Sequence, residues 1–328
     1  MLNKRIVLIA DRITKHQDII LSRNDLECVE DDYFHEIYQG LQSFCSEVIH
    51  YDSPKMFLDN ITKHKFDVIL SIWSGRNSRN RKSLIPSICE SYNICYVGAD
   101  PYIHMIAQNK HLSKYVCKNY GIYSANSVLV ENPSQINLIS ELKFPLVVKP
   151  NSEGGSIGIS NKNLVDTFQD ADIVIRELLK YFQQPILVEE YIKGIEICVT
   201  LAGTNKHIDV LAADALVISN RSYFEHDIFS YEIKKEYDKD CKNINATHLL
   251  NDEIKKIFIN LFMSLGKVEV IRIDGRFSND KFVLIELSPD IHLGKNCSVA
   301  TAFATTGYNY NQMLEKLIIN AIEMYKIN

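Results

Sequence analysis

The sequence has no apolar run approaching the ~18 residues of a membrane span, so a helical membrane protein is not the expected class. It also lacks Cys-x-x-Cys pairs. The eight cysteines (Cys28, Cys45, Cys89, Cys95, Cys117, Cys198, Cys241 and Cys297) are scattered, and none has a histidine at zinc-site spacing. They read as reduced, mostly buried thiols. The opening Met1-Leu2-Asn3-Lys4-Arg5 runs into a short strand without the apolar core of a signal peptide, and a cytoplasmic protein is expected. Repeats and low-complexity tracts are absent. So is any basic excess: 36 Lys and Arg against 41 Asp and Glu leave a net charge of −5, which argues against nucleic acid or an anionic membrane as partner. A small-molecule role is favoured.

At 328 residues the chain is longer than one core usually sustains, so two or three domains are expected. Short apolar strands at 5–10, 47–51, 66–71 and 94–97 alternate with helical or loop segments, the pattern of a parallel sheet covered by helices. In 31–44, Tyr33, Phe34, Ile37, Tyr38, Leu41 and Phe44 fall on one helical face, which core packing explains. The loop 73–82 after the third strand carries Arg76, Arg79, Arg81 and Lys82, and reads either as an anion site at a strand end or as a solvated basic loop.

A second unit follows Gly98. A helix is expected over 104–120 with Lys110 near its start, then strands at 127–130 and 146–149 with a helix over 134–142 between them. Lys149 ends a strand and leads into Pro150-Asn151-Ser152-Glu153-Gly154-Gly155-Ser156-Ile157-Gly158. Glycine amides can approach phosphate oxygens closely, and Ser156 adds a donor; a plain hairpin is the alternative. The strand 186–190 and the linker before Glu196 could offer main-chain groups to an adenine edge and a carboxylate to ribose, or Glu189, Glu190 and Glu196 could be surface charge. The polar, aromatic stretch 219–246 suggests a lid. Asn251 caps a helix that stops at Gly266, and two helices close the chain, the last over 309–325.

Between that capped helix and the final two lies the most informative stretch, 268–288. Two apolar runs flank a turn at Asn279-Asp280, which sets Asp274 opposite Ile285 or Glu286. Alternation puts Arg272 and Asp274 on one face, and Glu286 and Ser288 on one face of the partner strand. If those faces coincide, two carboxylates converge and call for a cation, and hard oxygen ligands on rigid strands suit Mg²⁺ shared with a phosphate-bearing partner. An exposed edge hairpin with solvated acids is the other reading.

Four segments together resemble the D-alanine-D-alanine ligase family of the ATP-grasp superfamily: Tyr96-Val97-Gly98 through Lys110 to Lys114; Phe144-Pro145 through Gly158; Val188-Glu189-Glu190-Tyr191-Ile192 through Glu196; and Arg272-Ile273-Asp274 through Glu286 to Gly307. The resemblance implies an α/β (α+β) ATP-grasp fold of three domains: an N-terminal parallel-sheet unit at 1–98, a central subdomain with the glycine-rich loop at 99–185, and a C-terminal subdomain with the metal hairpin at 186–328. It implies ATP with two Mg²⁺ ions, Mn²⁺ being a substitute, and a family-like homodimer. Lys110, Lys149 and the loop Glu153, Gly154, Gly155 and Ser156 would meet the phosphates. Glu189, Glu190 and Ile192 would line adenine, and Glu196 would hold ribose. Lys234 would reach in from the lid. Asp274, Glu286 and Ser288 would hold metal, and Arg272, Ser156 and Lys234 would serve the chemistry.

Three family motifs differ, all near the amino-acid substrates. Asp11-Arg12-Ile13-Thr14 stands where Gly-Gly-x-Ser-x-Glu is usual. The basic loop 73–82 replaces a His-Gly element, and Ser288-Pro289-Asp290 replaces the metal asparagine and its Pro-Gly turn, with Cys297 at a substrate serine position. The expected activity is an ATP-dependent carboxylate-amine ligase forming amides between amino-acid-like substrates through an acyl phosphate. The alternative is an ATP-binding protein of this fold that has lost ligation and serves as a regulator or scaffold.

Overall fold

The computed structural model describes residues 2–13, 29–75, 79–228, 241–290 and 292–326. The strands Leu2–Ile9, Cys45–Tyr51, Val68–Ser71 and Cys95–Val97 form a parallel sheet in which Leu2–Ile9 lies between Cys45–Tyr51 and Val68–Ser71. Covering helices bury both faces of the sheet's centre, which is why 6–9, 68–70 and 95–97 are continuous apolar runs, while the edge strand Cys45–Tyr51 stays half-exposed and carries Ser46, Glu47 and His50. Ile6 and Leu8 pack on one side with Phe34, Ile37 and Leu41 of the helix Asp31–Gln42, while Val7 and Ile9 pack on the other with Phe57 and Ile85.

A second, antiparallel sheet runs Ser127–Val130, Ile186–Glu190, Leu146–Pro150, Leu164–Val165, and its own core is completed by Ala171, Val174, Ile175 and Leu178 of the helix Phe168–Phe182. A third sheet orders Cys241–Asn245, Ile208–Ile218, Gly194–Gly203, Val270–Ser278 and Lys281–Ser288, with Tyr223–Phe224 paired to Gly194–Gly203. The helix Asp252–Ser264 covers it, capped by Asn251, whose side chain accepts from the Ile254 amide. The last helix, Tyr310–Tyr325, returns to the first sheet: Leu314, Leu317 and Ile318 share a core with Ile6, Leu8 and Phe34.

The first and third sheets are also joined by a buried ion pair. Lys267 Nζ donates to the carbonyls of Tyr96 (2.9 Å) and Gly98 (2.6 Å) and to Glu269 Oε1 (2.7 Å). Glu269, with 0% exposure, accepts in turn from the Gly98 amide at 2.7 Å.

Some local expectations are corrected. The helix expected over 104–120 is two, Pro101–Gln108 and Lys110–Asn119, because Asn109 leaves helical geometry (φ −95°, ψ 95°) and caps the second through its side chain. Residues expected as a helix over 134–142 wind as a tighter 3₁₀ run, Pro133–Glu141. The strand Ile208–Ile218 was not anticipated, and the stretch 219–246 yields the strand Cys241–Asn245; its residues 229–240, the expected lid with Lys234, lie outside the described residues. Cys45, Cys89, Cys95, Cys117, Cys198 and Cys297 are free thiols, and among the described residues no helix is long and apolar enough to cross a membrane.

Candidate active site

The hairpin closes on Asn279 and Asp280, both left-handed (φ 49° and 59°), a turn whose twist matches paired strands. Its register sets Asp274 opposite Glu286 and Arg272 opposite Ser288, so the four side chains share one face. The ladder shifts by one residue after Asp274, leaving Ile285 as the extra residue and deciding which of the two positions faces the aspartate. Val270–Ser278 is an interior strand, so the exposed-edge reading fails for Asp274.

Arg272 grips Asp274 with two bonds, Nε to Oδ1 at 2.6 Å and one terminal nitrogen to Oδ2 at 2.7 Å. Burial opposes the guanidinium's charge, but Asp274 more than offsets it and the group stays protonated. Ser288 Oγ donates to Glu286 Oε1 at 2.9 Å, and Lys110 Nζ lies 3.1 Å from Oε2. Burial would raise the Glu286 carboxyl; Lys110, Lys149 and Arg272 outweigh it and hold it below its usual range. Among the described residues no three His, Cys, Asp or Glu side chains cluster as a self-sufficient metal site. Two carboxylates and a hydroxyl on one face do fit an ion that completes its shell with phosphate oxygens and water. Ser288 lies on this face, whereas Asp290 is paired with Lys82 Nζ at 2.7 Å.

Lys110 opens its helix, and its amide donates to the Asn151 carbonyl, which stitches the helix to the loop after Lys149. Lys149 and Lys114 both bond Glu189, and all three are 3–6% exposed. Burial would push the Glu189 carboxyl up, yet two lysines pull it down to about 2. One carboxylate cannot fully compensate two ammonium groups, so burial prevails on Lys114 and lowers it. Glu190 points the other way, its carboxylate accepting from Asn126 and from the Lys143 amide. Glu196 is held by Arg276 at 3.1 Å, and the same guanidinium bonds the Tyr191 hydroxyl at 2.7 Å and the Ile192 carbonyl at 2.9 Å. In the glycine loop Gly155 and Ser156 are consecutive left-handed residues (φ 61° and 62°).

A cavity of about 470 Å³ lies between the glycine loop and the hairpin. Lys110, Glu153, Gly154, Gly155, Arg272, Glu286 and Ser288 line it together with Glu30, Tyr33, Arg81, Lys82, His104 and Asp290, whereas Lys149, Glu189, Glu190, Ile192, Glu196 and Asp274 are not in its lining. His104 is buried and its imidazole is pushed down to about 4, so it is neutral. In the basic loop, Arg81 and Lys82 meet the protein's own acids: Arg81 lies 3.1 Å from Glu153 and Lys82 pairs with Asp290. The solvated-loop reading does not suit them; Arg76 lies outside the described residues. Sequence reasoning did not assign Lys114, Arg276 or Glu30 to the site, since each is defined by a partner or a cavity far away along the chain.

This three-sheet arrangement is that of ATP-grasp ligases. The crystal structure of D-alanine-D-alanine ligase from Bacillus anthracis superposes with a TM-score of 0.73 at 20% identity over 99% of both chains, and the structure of that enzyme complexed with ATP at 0.69 and 19%. The D-alanine-D-alanine ligase of Wigglesworthia glossinidia brevipalpis is 27% identical over 275 residues, 81% of this chain and 74% of that protein. That of Thermotoga petrophila is 23% identical over 97% of both. The family model described as D-ala D-ala ligase C-terminus matches residues 116–319, and the chain belongs to that family of ATP-dependent ligases.

Proposed function

We propose that this chain activates the carboxylate of an amino acid or related acid with ATP and joins it to an amine, releasing ADP and phosphate. One observation carries the reading: Asp274 faces Glu286 across the hairpin, Lys110 Nζ arrives from another element to lie 3.1 Å from Glu286, and the charge of Lys149, from a third element, helps hold the Glu286 carboxyl down. Lys110, Lys149 and the loop Glu153–Ser156 take the phosphates, aided by Lys234. Glu189, Glu190 and Ile192 border adenine, and Glu196, steadied by Arg276, takes ribose. Asp274, Glu286 and Ser288 would hold Mg²⁺, which when bound would offset the charge of the phosphate oxygens. The substrate carboxylate attacks the γ-phosphate to give an acyl phosphate; the amine then attacks the acyl carbon and phosphate leaves. Arg272 stabilises the charge that develops, a task for which loss of one donor costs on the order of 10² to 10³ in rate. The functional units are 1–98, 99–185 and 186–328.

The changed motifs around the substrate end, with Lys82–Asp290 and Glu30 on the cavity wall, support partners other than two D-alanines. The test is incubation with ATP, Mg²⁺ and pooled L- and D-amino acids, following phosphate and identifying amides by mass spectrometry. A substrate-dependent amide is expected. Dipeptide of D-alanine alone would overturn the altered specificity, and ATP binding without substrate-dependent phosphate would replace the ligase with a non-ligating nucleotide binder. Lys149→Ala and Glu286→Gln should each abolish ADP formation with the circular dichroism spectrum preserved; undiminished turnover in both would remove the ATP site.

A further inference from the structure

Arg81 reaches the cavity from the loop that follows the strand Val68–Ser71, and it is 8% exposed. Its guanidinium lies 3.1 Å from Glu153 Oε2 and, with the Gln108 amide turned so that it donates to the Arg79 carbonyl at 2.8 Å, donates to Gln108 at 2.9 Å. Glu153 opens the glycine loop. Its other carboxylate oxygen accepts from Gln184 Nε2 at 2.7 Å, and its main-chain carbonyl accepts from Lys110 Nζ. Each acceptor oxygen of this residue therefore has a donor, and of the three donors Arg81 is the one that comes from the first sheet's loops.

We infer that Arg81 is a positioning residue for the nucleotide: by fixing Glu153 it sets the Gly154-Gly155-Ser156 backbone in its phosphate-facing form. A flexible loop that must order on binding loses affinity to its own entropy, and a preset loop does not. The inference rests on the proposed ATP site and adds a dependence on the N-terminal unit. The molecule carries a reporter for it. Trp73 is the sole tryptophan, and a Cβ on Gly75 would lie 2.6 Å from Arg81 Cβ and 3.0 Å from the Trp73 ring, so indole, Gly75 and Arg81 are packed together.

The experiment titrates the full chain with Mg²⁺-ATP, reading Trp73 emission and, independently, equilibrium dialysis. It compares wild type, Arg81→Ala, Arg81→Lys, Glu153→Gln and the double variant Arg81→Ala/Glu153→Gln, each with its thermal midpoint recorded to verify folding. Arg81→Ala and Glu153→Gln should each weaken binding roughly tenfold and the double variant no more than either, because both remove one linkage. Arg81→Lys should restore part of the loss, and the emission change on binding should vanish with Arg81→Ala. Losses that multiply in the double variant, wild-type affinity in Arg81→Ala, or a lysine no better than alanine would overturn the role. Wild type that binds Mg²⁺-ATP but makes no amide would sink the ligase reading alone; wild type that binds none would sink both.

Discussion

The cluster of Lys114, Lys149 and Glu189 makes an unequal pair of predictions. It holds two cations and one anion, all buried, so removing different members changes the uncompensated charge in opposite directions. Glu189→Gln leaves two ammonium groups facing each other without a counter-ion. The carboxyl is held near 2 against an ordinary 4.5, which makes the lost stabilisation on the order of 3 kcal/mol at neutral pH. Lys114→Met instead leaves one lysine with one carboxylate and keeps the apolar stem, and should cost about 1 kcal/mol. Urea unfolding followed by far-ultraviolet circular dichroism at pH 7 measures both. Because the folded carboxyl is depressed, its contribution is full above pH about 4.5 and drains as pH falls toward 2, so the gap between wild type and Glu189→Gln should close on acidification. Saturating Mg²⁺-ATP supplies negative charge beside Lys149 and should return part of the loss. Equal costs for the two substitutions, or a gap independent of pH, would refute the charge-count argument.

Asp214 predicts the opposite pH sign. It is 1% exposed, takes the Ser298 hydroxyl at 2.5 Å, and its carboxyl is pushed up, chiefly by burial, to about 7 from 3.8. Between those values the unfolded chain has released a proton that the folded chain keeps, so stability falls as pH rises through the window. Asp214→Asn should flatten that fall by on the order of 4 kcal/mol between pH 4 and 8 in urea titrations, and an unchanged slope would contradict it. Gly275→Ala should destabilise by about 1–3 kcal/mol, since a Cβ there would lie 2.3 Å from the Phe282 ring and 2.5 Å from the Val283 carbonyl oxygen; a thermal midpoint equal to wild type would show that the hairpin can yield.

Local periodicity made much of this fold legible. The central strands of the first sheet followed from apolar runs buried on both faces, and the hairpin from alternation around Asn279-Asp280. The Asp274–Glu286 register was readable only to one residue, because the bulge at Ile285 has no sequence mark. The strand Ile208–Ile218 escaped notice because the central Ala212, Ala213, Asp214 and Ala215 separate its β-branched residues, Ile208 and Val210 at one end and Val217 and Ile218 at the other. Site residues recognisable by motif, such as Lys149, Glu189 and Glu286, were brought to charged partners. Their counter-ions were less visible: Lys114 is defined by Glu189, 75 positions away, and Arg276 by Glu196, 80 positions away. Such pairings arise from topology rather than from neighbours in the chain.

The Lys267 ammonium shares its three protons among Tyr96, Gly98 and Glu269, none of which can be released to water singly. Together with the terminal helix laid across the first sheet, it makes the opening and closing thirds of the polypeptide one mechanical body. The middle sheet keeps a separate apolar centre. Under heat or denaturant the molecule is therefore expected to come apart as two pieces rather than three, a count of transitions that calorimetry reads directly.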